Sequence, residues 1–174
     1  MSGTPSATER ASRHRARSLA RLAAVQALYQ MDVAEADAGQ VIAQFRARGF
    51  EGLAEMTEDG EALPADPVAL GDPDLDWFEG LVRGVIARQL DIDRAVNRHL
   101  ARGWPLHRID IMLRALFRSA AFELLDRPDV PARVVIDDYL DIADAFYDAP
   151  ERGFVNGVLD ALARDLRKDE FSAR

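Results

Sequence analysis

The chain has 174 residues, 48% of them hydrophobic, and a net charge of −8, which is enough apolar material for a continuous core in one domain or two fused subdomains. It contains no cysteine, which excludes disulfides, thiolate metal sites and cysteine nucleophiles and suits a reducing cytoplasm. No run approaches the roughly 18 apolar residues that a membrane span requires, so a soluble protein without a membrane partner is expected.

Charge is unevenly distributed. Residues 1–21 hold five arginines and one glutamate, a balance of +4, against −12 for the remainder. A basic arm on an acidic body points to a polyanion held at one edge and repelled elsewhere, or to a solvated terminus. The arginine- and serine-rich start also fits an organellar transit peptide, but the apolar pattern from Leu22 to Met31 reads as the beginning of the core.

From Arg10 onwards the first segment reads as helix, because Ala20, Ala23, Ala24, Ala27, Leu28 and Met31 recur at helical spacing. If that helix extends back through the arm, Arg10, Arg13, Arg17 and Arg21 fall within one face and Arg15 points elsewhere. A short helix is predicted over Ala38 to Arg48, ended by Gly49. Residues 51–76 carry nine acids and no lysine or arginine, the composition of a loop between helices.

Helical order resumes at Asp76, with Trp77, Leu81, Val82, Val85 and Ile86 forming a stripe, and continues through Ile92, Ala95, Val96 and Leu100 until Gly103-Trp-Pro105. The longest clean pattern follows: Ile109, Met112, Leu113, Leu116, Phe117, Ala120, Ala121 and Leu124 mark a central core helix. "RPDVP" (Arg127 to Pro131) reads as a turn and helix start. The next helix buries Val135, Tyr139, Ile142, Ala143 and Phe146 and turns Asp137, Asp138, Asp141 and Asp144 to solvent. After "DAPERG" a last helix carries Val155, Val158, Leu159, Leu162 and Leu166. Without any useful period-two segment, the chain is expected to be all-α with about seven helices.

Phosphate loops, dinucleotide fingerprints, hydrolase elbows and zincin motifs are missing, so no enzyme and no cofactor are expected. Asp72-Pro-Asp74-Leu-Asp76 imitates the start of a calcium loop, but Trp77 stands where glycine is needed and Arg83 where glutamate is needed. His99 and His107 have no second ligand at metal spacing. The carboxylates Asp137, Asp138, Asp141 and Asp144 form a solvated helix face or a landing site for a basic partner. The arm offers planar, bidentate phosphate ligands. Phe154 is either a core residue or, if exposed, a surface on which an unpaired base can stack.

Three stretches, "ARLAAVQALYQMD" (Ala20 to Asp32), "LRALFRSAAFELLDRPDVPARVVIDDYLDIA" (Leu113 to Ala143) and "GFVNGVLDALAR" (Gly153 to Arg164), resemble in order and spacing the bacterial NusB transcription antitermination family. The resemblance runs from about Arg13 to Leu166. It implies an all-helical fold of two packed bundles and a non-enzymatic role: binding boxA of nascent ribosomal RNA together with NusE, a small-subunit ribosomal protein, and joining other Nus factors on RNA polymerase. It places RNA contacts on Arg17 and Arg21, with Arg13 and Arg15 just upstream, and on Phe154. The domain plan is then a disordered extension over 1–12, one helical domain over 13–168 containing the acidic loop, and a tail over 169–174.

Other readings are an acidic helical adaptor that binds a basic protein without RNA, and a domain of an RNA methyltransferase, for which the chain holds no Gly-rich cofactor domain. Monomer and homodimer are equally compatible with the sequence, since the small-residue seam Ala20 to Ala27 would serve packing within or between chains.

Overall fold

The computed structural model describes residues 3–54 and 71–172, and all regular structure among them is helical. Residues 55–70, most of the expected acidic loop, lie outside the described residues. The helices are α1 (Ala7–Ala34), α2 (Ala38–Arg48), α3 (Phe50–Ala54), α4 (Leu75–Ala87), α5 (Gln89–Asn97), α6 (Ile111–Asp126), α7 (Ala132–Phe146), α8 (Ala149–Leu166) and α9 (Lys168–Phe171). The two beyond the expected seven are the short α3 and α9.

α1 begins earlier than the sequence suggests. The Ser6 hydroxyl accepts from the Glu9 amide, and the Glu9 carboxylate accepts from the Ser6 amide, a capping box that satisfies two otherwise orphaned donors. Residues 7–12, read as part of a disordered extension, are therefore exposed first turns of a 28-residue helix. Further along, Ala20, Ala23, Ala24 and Ala27 are wholly buried. Side chains this small let α4 and α6 approach the α1 backbone.

α2 keeps the predicted bounds and ends at Gly49, whose φ of 59° suits glycine. Asp74, a member of the calcium-like triplet, caps α4 by accepting from the Trp77 amide at 3.0 Å, and Asp76 pairs with Arg46 at 3.2 Å. Of the stripe predicted for α4, the structure leaves Ile86 exposed. α6 is the central element and touches α1, α4, α5, α7 and α8. One group of helices, α1 to α4, thus packs against a second, α5 to α8, across a shared core.

The C-terminal residues tie down the α6–α7 turn. The Arg167 guanidinium donates to the carbonyls of Glu123, Leu124, Arg127 and Val130 at 2.6 to 3.0 Å, among them that of Leu124, to which Pro128 has no amide to offer. Glu170, placed by sequence in a tail, accepts from the Ala132 amide at 2.9 Å. It supplies the N-terminal cap that Pro131 has no side chain to make.

Candidate nucleic-acid interface

The exposed half of α1 and the α6–α7 turn enclose a groove of about 170 Å³ lined by Arg10, Arg13, His14, Arg17, Arg21, Asp129, Val130, Pro131 and Val134. The predicted arginine stripe is therefore real. Arg10, Arg13, Arg17 and Arg21 reach one groove, whereas Arg15 is exposed away from its wall.

The four arginines do not share one environment. Arg13 is exposed and Arg17 is half-buried. The Arg17 guanidinium carbon lies 4.0 Å from the centre of the Trp77 ring, with that of Arg127 at 3.9 Å. Burial lowers the Arg17 pKa, yet an arginine remains charged at any working pH. Among the described residues its Nε has no hydrogen-bond partner. This is a cation held against an aromatic ring, with its Nε shut off from solvent and its side chain lining the groove.

Arg21 is different, and its expected role as an RNA contact is corrected by its surroundings. Its side chain is 1% exposed. Nε and Nη2 donate to the Glu123 carboxylate at 2.8 to 3.1 Å, and Nη1 donates to Asp138 at 2.7 Å. The Tyr139 hydroxyl donates to Glu123 at 2.7 Å and lies 2.6 Å from the Ser119 hydroxyl, while Ser18 donates to Asp138 at 2.7 Å. Burial, and after it the Glu123 charge, pushes the Tyr139 phenol well up. These contacts fix α1 to α6 and α7 through the Arg21 guanidinium.

Asp138 is corrected by the same contacts. At 7% exposure and committed to Arg21 and Ser18, it is not part of a solvated face. Asp137, Asp141 and Asp144 are exposed as predicted. Burial first, then the charges of Asp138, Asp144 and Asp137, raises the Asp141 carboxyl, and Asp144 pairs with Arg152 at 2.6 Å.

Phe154 is 40% exposed, with its edge against the buried Phe117 ring at a centroid distance of 5.8 Å and 80° between planes. One contact seats the ring and leaves part of it to solvent. The sequence reading missed His14, which lies 3.6 Å from Asp138, the bracing ring of Trp77, and Arg127. Trp77 and Arg127 carried only helix and turn signals, and nothing local marks a residue that touches the arm across the fold.

Fold and groove together define an all-helical protein with a cationic arm-and-turn surface. The model for the NusB family matches residues 18–164. A transcription antitermination protein NusB of Caulobacter vibrioides is 47% identical over 151 residues, covering 87% of this chain and 94% of its own; that of Rhodopseudomonas palustris is 46% identical over 156 residues, 90% and 86%. Among solved structures, T. maritima NusB superposes with a TM-score of 0.63 at 28% identity, covering 90% of this chain and 96% of its own. The solution structure of NusB from Aquifex aeolicus, at 22% identity and a TM-score of 0.61, shares the fold. The chain belongs to the NusB family.

Proposed function

We propose that this chain is a cytoplasmic, non-enzymatic transcription antitermination factor that binds boxA of nascent ribosomal RNA together with NusE and joins other Nus factors on RNA polymerase. Family membership carries the reading, because the relatives that match most of its length are transcription antitermination proteins. In this reading Arg13 and Arg17, with Arg10 and His14, hold phosphates in the groove, Arg15 adds charge beside it, and Phe154 stacks a base. Asp137, Asp141 and Asp144 offer a basic partner such as NusE a surface that repels RNA.

A few arginines give modest, salt-sensitive affinity, since each neutralised phosphate contributes a log–log slope of about −0.7 on a single strand. Useful affinity then requires a second RNA-binding protein held alongside. The test is titration of a boxA-like RNA, with and without NusE, at two salt concentrations. Binding tightens with NusE, and replacing Arg13 and Arg17 by alanine flattens the salt slope by roughly 1.4. An unchanged slope and affinity in the folded double variant would remove RNA from the arm and favour a protein-only adaptor.

A further inference from the structure

Residues 98–108, between α5 and α6, contain three arginines, two histidines and no acid, in a body whose balance outside the arm is strongly negative. Arg98 and His99 are taken by Asp165, at 2.9 and 3.0 Å. Arg102 and His107 are exposed and, among the described residues, form no ion pair, and the Arg108 guanidinium donates to the Gly103 carbonyl at 3.1 Å. Between them Trp104 is 61% exposed.

The loop that presents this indole is fixed. The Trp104 amide donates to the Ala101 carbonyl at 3.0 Å, the Leu106 amide to the Asn97 side chain at 2.7 Å, and Arg114 holds the carbonyls of Leu106 and His107 at 3.2 and 2.9 Å. Gly103 takes a φ of 84°, which brings Trp104 around the turn without strain. Beside it lies a groove of about 550 Å³ lined in part by Leu100, Arg102, Pro105, His107 and Arg108.

We propose that this loop is a second single-stranded RNA contact, in which a base stacks on Trp104 and Arg102, His107 and Arg108 face the flanking phosphates. An exposed indole on a braced loop, beside arginines that make no ion pair among the described residues, is the combination that binds unpaired nucleotides with little sequence preference. An acidic peptide would use the cations and leave the indole without a role. The loop precedes α6 and the arm groove follows it, so the two contacts are separated by its 16 residues, about 24 Å. One RNA strand that spans them gains affinity by tethering. The proposal rests on the RNA-binding reading and adds a site to it.

Ultraviolet crosslinking of the unmodified protein to oligouridylate, followed by peptide mapping, tests it without a variant. An adduct on the tryptic peptide Gly103–Arg108 is expected, and it fades as salt is raised. Trp104→Ala and the Arg102→Ala, Arg108→Ala pair each weaken a long RNA roughly tenfold while a short boxA-like RNA that fills only the arm is unaffected. Adducts confined to the arm overturn the second site and leave the proposed function standing. Loss of arm binding with the Trp104 adduct retained does the reverse. Quenching of Trp104 emission by polyglutamate and not by oligouridylate would make the loop a protein contact and overturn the proposal.

Discussion

A guanidinium withdrawn from water needs its charge compensated and its nitrogens partnered, and Arg21 finds this in Glu123 and Asp138, themselves completed by Tyr139 and Ser18. Removing one member of such a buried cluster leaves the others unpaired, at a cost of about 3–5 kcal/mol. Arg21→Ala should lose that much stability in chemical denaturation, and Arg21→Lys should recover little, since an ammonium cannot reproduce the two-pronged contact with Glu123. Four residues earlier, Arg17→Ala should cost only about 1 kcal/mol, for the lost contact with Trp77, but weaken RNA, because its guanidinium makes no ion pair among the described residues. Phe154→Ala should cost about 1 kcal/mol for the lost edge contact with Phe117 and reduce RNA affinity by more than that fold-stability change explains. A reduction no larger would leave Phe154 a packing residue.

Helix contacts depend on features as small as one missing methyl group. Gly84 lies against the Phe122 ring, which a Cβ at position 84 would overlap. Gly84→Ala should therefore destabilise by about 1–2 kcal/mol, because overpacking outweighs the gain in helix propensity; a higher melting temperature would show that the ring yields. At the other end of α6, Arg167→Ala should cost about 2 kcal/mol, read in denaturant, by abandoning the carbonyls that end the helix. Burial raises the Glu170 pKa, but the Ala132 amide and Arg167 outweigh it and hold it low. A carboxylate whose folded pKa is depressed contributes stability above its unfolded value, near 4.3, and loses it as pH falls through the folded one. The protection of the Ala132 amide, its exchange relative to the intrinsic rate, should fall in that acid range, and Glu170→Gln should remove that loss of protection with pH. The outcome bears on RNA as well, since these contacts brace the turn that forms the far wall of the groove.

Across the whole molecule, the charge asymmetry of the sequence becomes a spatial one. The arm's exposed cations meet the α6–α7 turn, Asp137, Asp141 and Asp144 stay in solvent, and the one acidic side chain of that set which faces inward neutralises Arg21. Much of this was legible in advance. The α2 bounds, the core stripe of α6, the shared face of Arg10, Arg13, Arg17 and Arg21, and the exposure of three of the four aspartates all follow from helical period, a local property. The capping box at Ser6 is equally local, and it starts α1 before the arm that charge marks out. The bracing of Arg17 by Trp77, and the caps supplied by Arg167 and Glu170, join residues tens of positions apart and left no local signal.

The sequence by itself determined that this protein is helical, where most helices begin and end, and to which family it belongs, because periodicity, turn residues and motif order are written along the chain. Only the tertiary structure decided which charges serve the solvent and which serve the core. Arg17 and Arg21 share a helical face, so period cannot tell them apart. They differ in depth along α1: at Arg17 the helix still borders an open groove, while one turn later α6 and α7 close over it, and the same guanidinium becomes part of the interior.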